Sequence, residues 1–207
     1  MLKEMEFQKL LDELSSQSAA PGGGSVAAIA GALSAAMVSM VCNLTFGKKK
    51  YQQYEDEVKK CLENAEKLKI EFLLLAEKDA EAFSEVMEAY QLPHETEAEK
   101  EERTRAVEEA TKRAALVPMD VLRRCEAVAQ SSRSVALKGN ENSISDAGVA
   151  AIMAHAAAHA ASLNILINLS TISDEDFKGK LKTEQEHVLK AVKDIADETI
   201  HFINQKL

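Results

Sequence analysis

Two long segments without formal charge set the terms on which this 207-residue chain can fold. Val26 to Phe46 carries no charged side chain, and neither does Ala147 to Ser173 with its histidines neutral. Each is long enough to cross a bilayer. Both, however, are built from Ala, Ser, Gly and Asn rather than Leu, Ile and Phe, and the second holds His155, His159, Asn164 and Asn168. That composition argues against a membrane span. Helices that are apolar all round, in a chain handled by water, are central helices with neighbours on every side. Ala27, Gly31, Ala35 and Ser39 form a stripe of small residues at i+4 spacing, as do Ala150, Ala154, Ala158 and Ser162. Such stripes let backbones approach closely, so the two helices are expected to touch.

The rest of the chain follows from these two. No strand-like alternation occurs, there are three prolines, and Ala, Glu, Lys, Leu and Met favour helix in nearly every window. The reading is all-α: one domain over 1–207, a multihelical bundle of about seven helices around two uncharged Ala-rich central ones. The first spans about Lys3 to Ser15. The second is capped by Ser25 after the loop at Pro21 and ends near Phe46. The third runs from about Gln52 to Tyr90 and stops at Leu92-Pro93. A capping box, Thr96-x-x-Glu99, opens the fourth, and Pro118 either kinks it or starts a fifth that ends at Leu137. Ser143 opens the central sixth, to about Leu169, and Ser173-x-x-Asp176 opens the last. Helices three, four and seven are charge-laced on one side, as an outer layer should be.

Bulk properties narrow the partners. The net charge is -9 and aromatic residues make up 4% with no Trp, which leaves nucleic acid neither a basic face nor a stacking platform. Cys42, Cys61 and Cys125 are odd in number and widely spaced, the usage of a reducing compartment. The first residues lack an apolar signal core. A cytoplasmic protein is expected, with no membrane and no nucleic-acid partner.

Several clusters could do chemistry. Pro21, Gly22, Gly23, Gly24 and Ser25 open a long helix, where bare backbone and free N–H groups form a natural anion site; the plainer alternative is a flexible turn. No Gly-Lys-Ser/Thr follows, so this is not a nucleotide P-loop. Lys48, Lys49, Lys50 and Tyr51 close the same helix, either as a cationic cradle or as lysines complementing the helix dipole in water. Asn140 to Asp146 packs carboxamides, hydroxyls and carboxylates before a helix that turns almost to pure alanine. If buried there, Asp146 would have a raised pKa suited to proton transfer. Asn164 and Asn168 lie one turn apart, as core bridges or ligand contacts. No metal is expected. His155 and His159 lack the glutamate of a zincin motif, and Glu184-x-x-His187 and Glu198-x-x-His201 lie about 21 Å apart on one helix.

Taken together, these segments resemble one family. PGGGSVAAIAGALSAAMVSMVCNLTFGKKKY (21–51) and GNENSISDAGVAA (139–151) are specific; KDAEAFSEVMEAYQLP (78–93), VPMDV (117–121) and NILINLSTISDEDF (164–177) add weaker support. The chain is similar across nearly its whole length to the formiminotetrahydrofolate cyclodeaminase/methenyltetrahydrofolate cyclohydrolase family. Ser34 stands where that family's pattern has glycine, a change expected to matter little inside a helix. The formiminotransferase module fused in some relatives is not visible in these residues, so intramolecular transfer between two active sites is not expected.

The resemblance implies an all-α homodimer acting on a tetrahydrofolate derivative as substrate, with no cofactor or metal. Its matching positions are Pro21 to Ser25, Lys48 to Tyr51, Asp79, Phe83, Asn140, Ser145, Asp146, Asn164 and Asn168. On that basis Asp146 is the first candidate for proton transfer, Asp79 the second, and Lys49 a possible acid. Lys48 and Lys50 would hold anionic groups such as the glutamate tail, and Asn140, Asn164 and Asn168 would meet the pterin edge. Cyclodeamination of 5-formiminotetrahydrofolate to 5,10-methenyltetrahydrofolate and ammonia is the leading expectation. Hydrolysis of the methenyl form to 10-formyltetrahydrofolate is the alternative, and a folate-binding helical dimer without turnover is the third.

Overall fold

The computed structural model describes residues 5–207, and the expected start of the first helix at Lys3 lies outside them. Six α-helices follow one another among the described residues, with no strand: α1 (Phe7–Leu14), α2 (Gly23–Thr45), α3 (Glu55–Tyr90), α4 (Glu97–Lys138), α5 (Ile144–Leu169) and α6 (Glu175–Asn204). Short 3-10 turns at Lys49–Tyr54 and Glu141–Ser143 lead into α3 and α5.

Six helices replace the expected seven because Pro118 neither ends nor restarts one: α4 runs through it for 42 residues. A proline removes the N–H that would bond the carbonyl four residues back. Here that carbonyl, Ala114 O, instead accepts from Asn168 Nδ2 at 3.3 Å. A side chain from α5 fills the gap and the helix continues.

The caps are a mixture of expected and shifted. Thr96 and Glu99 form the reciprocal capping box. Ser25 does not cap α2; Gly22 holds that position and Ser25 is buried within the first turn. Ser143 precedes α5, but its hydroxyl donates to Asn140 O at 3.0 Å rather than capping. Asp174, not Ser173, caps α6 by accepting from Phe177 N, while the Ser173 N–H and hydroxyl bind the Glu108 carboxylate.

α2 and α5 run antiparallel and pack along their length, with α3, α4 and α6 around them. By length and composition both pass for membrane spans, yet charge-laced helices pack against them and cover much of their surface. The two helices touch as expected, but Gly31 of the α2 stripe meets α3 rather than α5. A Cβ on Gly31 would lie 2.4 Å from Phe72 Cε1, so the stripe is where α3 drives its fully buried phenyl ring against α2. A direct hydrogen bond to α5 comes from Ser34, whose hydroxyl donates to Ala150 O at 2.7 Å in a fully buried bond. The departure expected to matter little therefore ties the two core helices together. Ser162 turns the other way, accepting from Gln185 Nε2 of α6 at 2.8 Å.

Candidate active site

The antiparallel arrangement sorts the expected site residues into two groups. α2 is about 34 Å long at 1.5 Å per residue. The triglycine turn lies at its start beside the end of α5, and the lysine run at its end beside the start of α5.

At the glycine-rich end is a cleft of about 320 Å³ lined by Ala19, Ala20, Gly22, Gly23, Gly24, Asp79, Phe83, Val86, Ala114, Asn164, Ile167 and Asn168. Asp79 is the single ionisable side chain among these walls. It reaches across from α3 to the open N-terminus of α2, where Ser25 Oγ lies 2.9 Å from its Oδ2. A Cβ on Gly24 would fall 2.0 Å from Asp79 Oδ1, so glycine there is space for the carboxyl group. The carboxyl at this helix N-terminus is thus the chain's own. Burial pushes the Asp79 pKa above the usual carboxylate range, and the bonds from the Ser25 hydroxyl and backbone N–H only partly offset it.

Two carboxamides line the same cleft. Asn164 Nδ2 donates to Ala160 O at 2.9 Å, and its side chain lies where a Cβ on Gly23 would come within 3.3 Å. Asn168 Nδ2 is fixed between Asn164 O at 3.0 Å and Ala114 O, the carbonyl freed by Pro118. Their donors are committed within the chain. Neither Oδ1 meets a donor among the described residues, so the cleft offers two fixed acceptors beside one carboxyl. Phe83, partly exposed, Val86 and Ile167 supply apolar wall. Pro21, which enters through a cis peptide, and Ser25 stand behind the lining rather than in it.

The other end holds Lys48, Lys49, Lys50, Tyr51, Asn140, Ser145 and Asp146. Here the loop before α5 is sewn to the end of α2. Asn140 N donates to Thr45 Oγ1 at 2.9 Å, Asn140 Nδ2 to Leu44 O at 3.1 Å, and Asn142 N to Asn140 Oδ1 at 3.2 Å. Both amide atoms of Asn140 are therefore engaged in fixing the loop. Tyr51 is buried and its hydroxyl accepts from Glu141 N at 2.9 Å. Lys50 pairs with Glu141 at 2.5 Å, which raises the lysine pKa and lowers that of the glutamate. Lys48, Lys49 and Ser145 are exposed, and Asp146 is half-buried in the first turn of α5 rather than enclosed. Two hollows flank this segment. One of about 260 Å³ is lined by Thr45 to Lys49, Tyr51, Gln52, Glu55 and Val58. The other, about 400 Å³, includes Lys50, Lys138, Glu141 and Lys206.

The sequence reading missed Ala19, Ala20, Val86, Ala114 and Ile167 as cleft walls, and Lys138 and Lys206 as cations. Small and apolar residues carry no chemical signature, and Lys206 reaches this end only because α6 returns there. No three His, Cys, Asp or Glu side chains converge as a metal-ligand set among the described residues. Glu184 and Glu198, the candidate metal carboxylates, pair with Arg123 and Arg133.

A helical bundle with a half-buried carboxyl and two carboxamides at one end and a lysine-rich loop at the other defines an enzyme class that comparison identifies. Residues 6–187 match the family described as Formiminotransferase-cyclodeaminase, and the chain belongs to that family. It is 44% identical over 183 residues to a methenyltetrahydrofolate cyclohydrolase of Methylorubrum extorquens, covering 88% of each chain. It is 31% identical to the formimidoyltransferase-cyclodeaminase of Rattus norvegicus over 93% of this chain, which spans 36% of the rat protein. The crystal structure of a formiminotetrahydrofolate cyclodeaminase from Thermotoga maritima superposes with a TM-score of 0.90 at 32% identity, over 99% of this chain and 98% of that one.

Proposed function

We propose that this chain is a methenyltetrahydrofolate cyclohydrolase, a cytoplasmic enzyme that hydrates 5,10-methenyltetrahydrofolate to 10-formyltetrahydrofolate with its own side chains. The observation that carries this reading is the single ionisable side chain in the walls of the glycine-rich cleft. Hydration needs one group to accept a proton from water as the oxygen attacks the cationic methenyl carbon, and a carboxylate with a raised pKa is a strong base for that purpose. Asp79 takes that proton. The hydroxy adduct then loses its hydroxyl proton as the N5–carbon bond breaks, and Asp79 returns a proton to N5. One proton is released to solvent per turnover. The Oδ1 atoms of Asn164 and Asn168 accept from donor groups on the pterin, and Phe83 lies against its ring.

The relative of 44% identity, named for this hydrolysis, supports the same order of preference. Cyclodeamination, the leading expectation from sequence, is the second reading, favoured by the likeness to a structure named for it. There Asp79 would carry a proton from N10 to the departing nitrogen.

The reading includes a homodimer. Outward-facing apolar side chains recur at heptad-like spacing on both core helices: Val26, Leu33 and Met40 on α2, and Val149, Ile152, Leu163 and Leu166 on α5. A two-fold axis lying across these helices sets the glycine-rich end of one protomer against the lysine-rich end of its partner. The folate then spans the interface, its pterin beside Asp79 and its anionic tail on Lys48, Lys49 and Lys50 of the second copy.

The methenyl form absorbs in the near-ultraviolet, which separates the readings in one assay. Loss of that absorbance on adding protein to 5,10-methenyltetrahydrofolate is the expected result. Its appearance from 5-formiminotetrahydrofolate, with no hydrolysis, selects the second reading. A folded dimer that binds folate and changes neither signal is the non-catalytic binder.

A further inference from the structure

We infer that Ser25 is a positioning residue for the Asp79 proton, its hydroxyl turning between Ala76 O and Asp79 Oδ2 as the carboxyl gains and loses that proton. The inference deepens the proposed use of Asp79 and rests on that reading for its catalytic meaning. Ser25 is fully buried, and its Oγ lies 3.1 Å from Ala76 O and 2.9 Å from Asp79 Oδ2. A hydroxyl has one proton to donate, and the Ala76 carbonyl can only accept. Both contacts are full two-centre hydrogen bonds at once only when Asp79 is protonated and donates to Ser25 Oγ, while Ser25 donates to Ala76 O. When Asp79 is ionised, the hydroxyl swings its proton to Oδ2, and Ala76 O keeps its bond within α3.

The carboxyl therefore holds one position in both charge states. No other charge competes for the role: the cleft walls contribute Gly23 and Gly24 from α2, Phe83 and Val86 from α3, Ala114 from α4, and Asn164 and Asn168 from α5, all neutral. Nor can Asp79 move toward α2, because it already occupies the space of a Gly24 side chain. A half-buried acid that must take and return a proton without shifting needs a partner able to act as donor and acceptor in turn. Ser25 supplies that, and alanine cannot.

The test is an infrared titration of the free protein, with Asp79→Asn identifying the carboxyl band. In wild type the protonated band should carry the lowered frequency of an O–H that donates a hydrogen bond. A band at the frequency of a non-donating carboxyl overturns the inference, and this measurement needs no variant of Ser25 to fold. A charge-assisted bond outweighs a neutral one, so Ser25→Ala should move the midpoint up by about one pH unit. Ser25→Thr, which keeps the hydroxyl, should restore it. An unmoved midpoint in Ser25→Ala contradicts the inference even if the enzyme turns over. A moved midpoint supports it even if neither folate reacts, so its failure and that of the proposed reaction are told apart.

Discussion

The two ends of the α2–α5 pair are built from similar residue types and do opposite things with them. At the lysine end the polar groups are spent on one another: Asn140 on Leu44 and Asn142, Tyr51 on Glu141, Lys50 on Glu141. At the glycine end the donors are anchored and the acceptors are left over, with Oδ1 of Asn164 and Asn168 and the Asp79 carboxyl lining one cleft. Which polar atoms are left without a partner in the chain, not residue type, separates the end that holds a loop from the end that lines the cleft.

Removing the Asp79 carboxyl should break this contrast most severely. Asp79→Asn is expected to lower turnover about a hundredfold or more, the range of a general base, measured by loss of methenyl absorbance. Retention of activity within a few-fold would move the chemistry elsewhere. The same change should raise thermal stability at neutral pH. Because the folded-state pKa of Asp79 lies above its ordinary value of 3.8, ionisation works against the folded state. The Asp79 contribution to stability is then most favourable at low pH and declines as pH climbs through the window between the ordinary and the raised value. Melting temperatures of the two proteins should converge on acidification and diverge above that window.

The glycines sharpen the contrast at smaller cost. Gly24→Ala puts a methyl into the Asp79 carboxyl and should destabilise the chain by about 1–3 kcal/mol as an overpacked site. Gly22→Ala meets only Ala19 O at 3.4 Å and should unfold almost as wild type does. Equal denaturant midpoints for the two would show that the turn is flexible and the close approach unimportant. The smallest effect is expected at the opposite end. Asp146→Asn should change turnover by less than about tenfold, below what a general base contributes. A hundredfold loss would restore Asp146 as the proton carrier.

Much of this was legible in the sequence because charge is. Two uncharged runs among charge-laced ones fix which helices are central, and the capping box at Thr96 marks a boundary that packing does not alter. Direction of facing was not legible. Gly31 looked like a seat for α5 and is a seat for Phe72, because a 3.6-residue period leaves two neighbouring helices sharing adjacent stripes. Pro118 read as a break because nothing in the sequence shows that Asn168, 50 residues on, takes up the freed carbonyl. The site residues were named together, yet their division between two ends followed only once α2 and α5 were seen to be antiparallel. Asp146 gained its rank from the alanines that follow it. Asp79, on a charge-rich helix, gives no local hint that its neighbours bury it.

The central claim is that the two ends belong to one site shared between two copies of the chain, and mixing two defective chains tests it directly. Asp79→Asn lacks the proposed proton carrier, and Lys48→Ala/Lys49→Ala/Lys50→Ala lacks the proposed tail cradle and should bind substrate weakly at sub-saturating folate. Unfolded and refolded together in equal amounts, they should form mixed dimers in which one of the two sites is wild type. Activity should then recover to roughly a quarter of the wild-type level, as random pairing dictates. Activity no higher than the mean of the two parent variants would place each site within a single chain and contradict the account.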